Sequence, residues 1–287
     1  MGERPLILVT IDDGILSPGL RAAAEAVARL GELLVVAPAT QQTSMSRAFT
    51  KGMDVGAVVA TVLEVDGRQV EAYAVTGSPV LSVAHALLEL APRRPELCVS
   101  GINYGENCGA AITVSGTVGA ALEAELYGVP ALASSLQVDV SEWHSYGKQD
   151  WTAARHFTRL LAEQILTDGL PSGVSLLNLN VPRDATPQTE VRRTVQSRQR
   201  YYTQLRPKTR LMTDPVRLKV AVVVDEDLLE PDSDICAVVK DRVVSVTPLT
   251  WSMTAHTTWQ PATQSPGADR VTAVPPARGS RNPPVER

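Results

Sequence analysis

The chain opens on a run of β-forming apolar residues, Leu6-Ile7-Leu8-Val9-Thr10, which closes on the polar turn Asp12-Asp13-Gly14. An Ala-rich stretch from Leu20 to Leu30 follows. Ser17 is its expected cap, Pro18 falls in its first turn and Gly31 is its expected stop. Leu33 to Val36 is the next apolar run, ending at Ala37-Pro38. Strand, helix and strand at this spacing make a βαβ unit, whose crossover is right-handed. The alternation then recurs. Strands are predicted over Val70–Val75, Leu97–Ser100 (closing on a loop at Gly101-Ile102-Asn103), Pro130–Ala133 and Val174–Val181. Helices are predicted over Pro79–Leu90, Thr117–Tyr127 and Trp151–Leu166. This order predicts an α/β fold: a three-layer sandwich with a mostly parallel sheet and helices on both faces.

Beyond Val181 the pattern changes. Arg192 to Arg210 is rich in Arg, Gln, Thr and Tyr, and β-branched runs follow at Val216–Val224 and Val243–Thr247. Residues 191–257 are therefore expected to form a β-rich C-terminal arm. Two readings stay open: a projecting hairpin that serves oligomerisation or covers a site, or further strands of the same sheet. Residues 258–287 are dominated by Pro, Gly, Ser, Thr and Arg and are expected to be disordered. No internal repeat is present.

Composition narrows the function. Of 287 residues, 44 % are apolar but only 4 % aromatic, so Ala, Val and Leu must fill the core. A net charge of −4 argues against a protein that grips nucleic acid by its phosphates, but not against a small anionic ligand held by a metal or a helix N-terminus. Cys98, Cys108 and Cys236 give neither a disulfide framework nor zinc spacing, which fits a reducing cytoplasm; Cys98 and Cys108 read as packing residues. No apolar stretch reaches the roughly 18 residues of a membrane span, and Met1 to Pro5 holds no signal region. His85, His144, His156 and His256 have no metal-ligand spacing, and His85 and His156 fall within predicted helices.

Ligands of open parallel sheets bind at the carboxyl ends of the strands. Three polar clusters fall there: Asp12-Asp13, Thr43-Ser44-Met45-Ser46, and Asn103 to Asn107. Adjacent carboxylates repel by about 1 kcal/mol in water and about 4 kcal/mol at an effective dielectric near 20, a cost that a divalent cation removes. The surrounding oxygens are hard donors, which favours Mg²⁺, Mn²⁺ or Ca²⁺. Asp-Gly is equally an ordinary turn signal. The glycines of Gly101 to Gly109 suit a loop whose amides approach an anion, or a plain turn. Ser115-Gly116-Thr117 opens a helix, as a phosphate seat or as a simple cap. There is no Walker A loop and no Gly-x-Ser-x-Gly elbow.

Taken together these clusters resemble the SurE (survival protein) family. Leu6 to Ile15 looks like its opening motif, continued by Ser17-Pro18-Gly19-Leu20. Val35-Val36-Ala37-Pro38 with Thr43-Ser44-Met45-Ser46 is similar to the second motif, and Val75-Thr76-Gly77-Ser78-Pro79 to the Gly-Thr-Pro segment. Val99 to Asn107 resembles the third motif and Ser115 to Ala121 the fourth; Gln196-Ser197-Arg198 and Ser245 to Leu249 look like later landmarks. The resemblance implies a SurE-like phosphatase domain over 1–257: a metal-dependent 5′-nucleotidase that hydrolyses nucleoside monophosphates. It implies one divalent metal per subunit, a cytoplasmic homodimer or homotetramer, and no nucleic-acid or membrane partner. By resemblance Asp12, Asp13, Thr43 and Asn103 hold the metal. Asn103, Asn107, Ser115, Gly116 and Thr117 bind phosphate, and Asp12 or Asp13 also serves as the base.

Three positions depart from that pattern. Thr43 replaces a Ser ligand, which keeps the hydroxyl on a stiffer side chain. Ile11 stands where the family has Asn, and Leu81 where it has Asp. They define the alternative: a degenerate homologue that binds nucleotide or a partner with little catalysis. A haloacid-dehalogenase-like phosphatase needs Asp-x-Asp, and the adjacent aspartates here do not supply it.

Overall fold

The computed structural model describes residues 3–143 and 145–254. The expected tail at 258–287, and the residues His144 and His256, lie outside the described residues. The first strand, β1 (Leu6–Thr10), is followed by helix α1 (Pro18–Val27), whose cap Ser17 accepts from the Gly19 amide; the helix ends short of Gly31. Then come β2 (Glu32–Pro38), β3 (Val58–Val65), β4 (Arg68–Val75) and α2 (Pro79–His85), which continues as a π-helical turn over Ala86–Leu90. Next are β5 (Leu97–Tyr104), α3 (Gly116–Leu126), β6 (Ala131–Leu136), α4 (Thr152–Asp168) and β7 (Leu176–Val181). The chain closes with β8 (Val191–Arg193), β9 (Tyr201–Gln204), β10 (Val220–Val223) and β11 (Val244–Leu249).

Nine strands form one sheet in the order β3-β4-β2-β1-β5-β6-β7-β11-β8. From β4 through β7 neighbours run parallel, whereas β3 and β11 pair antiparallel with β4 and β7. The central strands are buried on both faces, hence their continuous apolar runs. On one face Ile7, Val9 and Ile11 pack with Leu20, Ala23, Phe157 and Leu161 of α1 and α4. On the other Leu6 and Leu8 pack with Val83 of α2 and with Val118, Ala121 and Ala124 of α3.

Three details differ from the sequence reading. β3 was not expected: it pairs with β4 through a two-residue turn, Asp66-Gly67, whose positive φ values of 46° and 75° mark the primed hairpin type. The segment read as a loop after Ser100 is strand, with an irregular register between Ser100 and Asn103 that lets β5 run on to Tyr104. The C-terminal runs divide. β9 and β10 form a separate antiparallel pair, while β11 and β8 extend the main sheet, so the segment is part hairpin and part sheet extension.

The order of the strands positions the site. The chain leaves β1 toward β2 and β4, then returns to place β5 on β1's other side. At such a switch point the loops beyond the strand ends part and leave a crevice. The residues beyond β1 and at the end of β5 face it.

Candidate functional site

The crevice holds a cavity of about 330 Å³. Asp12, Thr43, Asn103, Asn107 and Ser115 are on its wall. The topology thus brings five of the eight candidates onto one surface. Asp13, Gly116 and Thr117 lie behind it.

Asp12 and Asp13 are 3 % and 2 % exposed. Asp12 Oδ1 accepts from the Thr117 hydroxyl at 2.5 Å, so Thr117 orients the carboxylate. Asp13 Oδ2 accepts from the Tyr104 amide (3.0 Å) and its Oδ1 from Gln41 Nε2 (2.9 Å). Burial, and then the charge of Asp13, push the Asp12 carboxyl up to about 7; the Thr117 hydrogen bond opposes this. Burial raises Asp13 to about 6 against the pull of the Tyr104 and Gln41 hydrogen bonds. Neither carboxylate has an ion-pair partner among the described residues. Two buried adjacent acids without a cation are what a metal would neutralise.

Helix α3 holds the site together. Its N-terminus sits so close to Asp12 that a Cβ on Gly116 would lie 2.6 Å from Asp12 Cβ and 2.7 Å from Oδ2. Ser115 accepts from the Val118 amide at 3.1 Å, acting as an ordinary cap while also lining the cavity. One turn on, Gly119 packs against the Ser46 carbonyl, and Arg47 pairs with the buried Glu123 at 2.7 Å. Ser46 also bonds the Thr113 and Val114 carbonyls (2.9 and 3.2 Å). The loop that carries Thr43 is therefore clamped to α3, with Ser44 and Ser46 held at φ of 66° and 50°.

Asn103 donates from Nδ2 to the Gly105 carbonyl at 2.7 Å, which leaves its Oδ1 as the remaining polar atom. Asn107 is held from three sides. Its amide N–H donates to Asn180 Oδ1 (2.7 Å) and its Nδ2 to Ser135 Oγ (2.8 Å). Its carbonyl accepts from Asn178 Nδ2 (2.9 Å) and Asn180 Nδ2 (3.1 Å). Asn178 and Asn180 were not singled out in the sequence, although a signal was there: two amides at alternate positions of an otherwise apolar strand, Leu176 to Val181. Gln41, Trp143, Arg200 and Tyr202 were missed without any such signal.

Asn180→Ala is expected to lower turnover about ten-fold by letting the Asn107 loop shift. It should cost about 1–3 kcal/mol of stability, because the Asn107 amide is left unpaired. Asn180→Asp keeps the acceptor for that amide but sets an oxygen against the Asn107 carbonyl, to which Asn180 Nδ2 donates at 3.1 Å, and buries an unpaired carboxylate, so it should lose at least as much. Steady-state rates and thermal melts of the two variants check this; wild-type rates and melting in Asn180→Ala would remove the positioning role from Asn180.

Two of the departures noted in the sequence are not on the cavity wall. Ile11 is fully buried in the α1–α4 core, its Cδ1 3.4 Å from where a Cβ on Gly19 would be. Leu81 sits in the first turn of α2, its amide capped by Ser78 Oγ at 3.3 Å. Ile11→Asn would bury an amide among apolar side chains, a change that costs about 1–3 kcal/mol. The expected result is a lower melting temperature with no gain in rate; a faster enzyme would place this residue at the site after all.

Among the described residues no group of three or more His, Cys, Asp or Glu side chains is set to hold a metal ion. The set formed by Asp12, Asp13, Thr43 and Asn103 has only two acids, and its other donors are neutral oxygens. That hard-oxygen chemistry, with an uncompensated pair of buried carboxylates, fits a divalent cation.

Comparison with known proteins gives a consistent result. The family model described as survival protein SurE matches residues 7–203. A Thermococcus kodakarensis protein named 5′-nucleotidase SurE is 41 % identical over 88 % of this chain and 95 % of its own length. A protein of the same name from Archaeoglobus fulgidus is 40 % identical over 87 % of this chain and 92 % of its own. The crystal structure of the SurE protein from Aquifex aeolicus superposes with a TM-score of 0.67 at 28 % identity, covering 87 % of this chain and 95 % of that one.

Proposed function

The chain belongs to the survival protein SurE family, and from that premise we propose that it is a metal-dependent 5′-nucleotidase, releasing phosphate from nucleoside monophosphates. The relatives' shared name supports the reaction. The observation that carries it to particular residues is the meeting of Asp12 with the N-terminus of α3 at one cavity.

Asp12, Asp13, Thr43 and Asn103 are the proposed holders of one Mg²⁺, Mn²⁺ or Ca²⁺ per subunit. A divalent cation supplies charge neutralisation and Lewis acidity toward a phosphoryl oxygen. The chain's own part is positioning. Amides in the first turn of α3 have no intrahelical acceptor, and with Ser115 and Asn107 they form the seat for the anionic oxygens. These donors are fixed before substrate arrives, so they stabilise developing charge without reorganising. Asp12 is better placed than Asp13 to take a proton from the attacking water. Asp12 is on the cavity wall, while both oxygens of Asp13 are already engaged.

The alternative, a chain that binds nucleotide without turning it over, gains nothing from Ile11 or Leu81, since neither lines the cavity. Among the described residues no helix is long and apolar enough to cross a membrane. A cytoplasmic location and assembly as a homodimer or homotetramer are part of the same proposal. The segment between β9 and β10, where Leu211 and Met212 are 73 % and 85 % exposed, is one apolar surface available for assembly. Phosphate release from a nucleoside monophosphate panel, with Mn²⁺ or Mg²⁺ and again with chelator, tests the reading; light scattering on the same preparation gives the subunit number. Release is expected only with metal. Release that chelator leaves untouched would end the metal assignment, and a monomer would end the assembly one.

A further inference from the structure

We infer that Gln41 is a positioning residue for the metal: its side-chain amide ties Asp13 to the connection between β6 and α4, so that cation affinity depends on that connection and a bound cation in turn steadies it. This rests on the metal-dependent reading and adds to it the group that aims one of the two acids.

Both carboxylate oxygens of Asp13 are engaged but not used up. The Tyr104 amide donates to Oδ2 at 3.0 Å and Gln41 Nε2 to Oδ1 at 2.9 Å. A carboxylate offers about four lone-pair positions, so each oxygen keeps one for a cation. The two donors differ in kind. Tyr104 gives a backbone N–H of β5, which the sheet fixes. Gln41 gives a half-buried side chain from the loop after β2, and such a side chain keeps its direction only if something else holds it. Here that is the Trp143 carbonyl, to which the same nitrogen donates at 2.9 Å. One amide thus spans from an acid of the site to the β6–α4 connection.

Further contacts join the same parts. The Tyr146 hydroxyl donates to the backbone carbonyl of Asp13. Tyr104, whose amide holds the acid, donates through its hydroxyl to the Gly147 carbonyl at 3.1 Å. Its ring packs on Tyr146, with centroids 5.5 Å apart, and edge to face on Trp151, at 5.1 Å, just before α4. Tyr146 is held at a φ of 47°, a conformation that a residue with a bulky side chain keeps only where its surroundings impose it. The earlier part of the connection is anchored away from the acids: Glu142 closes a capping box with Asp139 and pairs with Arg183.

A group that orients a metal ligand from outside is worth about 10–100-fold in metal affinity. The coupling is reciprocal, so what the connection lends to cation binding the bound cation returns to the connection.

The test titrates Mn²⁺ by calorimetry into metal-free wild type and into Gln41→Met, which keeps the length and bulk of the side chain and loses its amide. The dissociation constant is expected to rise about ten-fold or more, and the Mn²⁺ concentration for half-maximal phosphate release should rise with it. Substrate KM at saturating Mn²⁺ should stay within about two-fold, because the phosphate seat is untouched. Tyr146→Phe, which loses one bond to the Asp13 main chain, should weaken Mn²⁺ binding by less. Amide hydrogen exchange gives the reciprocal readout. Saturating Mn²⁺ is expected to slow exchange in the peptide from Trp143 to Trp151 of wild type, and to do so much less in Gln41→Met. Unchanged Mn²⁺ affinity in Gln41→Met would overturn the inference, as would equal protection of that peptide in both proteins. A wild type that takes up no Mn²⁺ would remove the metal reading itself, a distinguishable result.

Discussion

Asp12→Asn is expected to lower metal-dependent phosphate release by about 10²–10³-fold or more, and at the same time to raise the melting temperature of the metal-free protein at pH 8. The two effects have one cause. In the unfolded chain Asp12 ionises near its ordinary value of 3.8, but in the folded chain burial and Asp13 hold it near 7. Between those values the unfolded state sheds a proton that the folded state keeps, so stability falls as pH rises from about 4 to about 7 and stays low above that. Asp13, raised to about 6, adds to the same trend. Asparagine accepts the Thr117 hydrogen bond through its carbonyl oxygen but carries no charge, so the variant escapes its share of the penalty and relieves Asp13 of a like neighbour. Melts of chelated wild type and variant should coincide near pH 4 and diverge toward pH 8, with the variant higher. Adding Mn²⁺ should raise the wild type more than the variant. A variant that melts lower at pH 8 would show that Asp12 is compensated in the metal-free fold, and the case for a cation at this site would weaken with it.

Much of this arrangement was legible in the sequence. The order of apolar runs and Ala-rich stretches predicts a parallel α/β sandwich because strands buried on both faces read as near-continuous apolar runs, as Leu6–Val9 and Leu97–Val99 do. Strand ends then place Asp12, Asn103 and Thr43 together, since a parallel sheet has only one carboxyl edge. What was not legible depends on pairing across long separations. β3 is half-exposed and needs β4 to exist as a strand, so its own pattern is weak, although Asp66-Gly67 advertised the hairpin. Asn178 and Asn180 acquire meaning only when Asn107 lies beside them. Ile11 misled in the opposite sense: adjacency to Asp12 implied a shared environment, but successive residues of an extended chain face opposite sides, and Ile11 belongs to the core with Ile7 and Val9. Arg200 and Tyr202 reach the cavity only through the fold of the β9–β10 hairpin, which no local pattern encodes.

Gly116→Ala should be nearly as damaging as loss of Asp12, although Gly116 carries no chemistry. Alanine is the better helix former by about 1 kcal/mol, and Gly116 is not among the residues with positive φ, so the backbone raises no objection. Space does. The added methyl would sit 2.6–2.7 Å from Asp12 Cβ and Oδ2 and 3.0 Å from Cγ, closer than such atoms approach in folded proteins. Asp12 cannot retreat, being buried and bonded to Thr117, so the N-terminus of α3 must move away. That movement breaks the Thr117 contact and separates the phosphate seat from the carboxylate it serves. A displacement of about 1 Å between reacting groups costs on the order of 10²-fold in rate. Overpacking costs about 1–3 kcal/mol, partly offset by the helix propensity gained, so the fold should survive. The expected variant is therefore folded, with a native circular dichroism spectrum and a melting temperature within a few degrees of wild type, yet about 10²-fold slower on every phosphomonoester, glycerol phosphate included. Wild-type rates in Gly116→Ala would mean that the contact between α3 and Asp12 is incidental, and the site would have to be rebuilt without the helix as its scaffold.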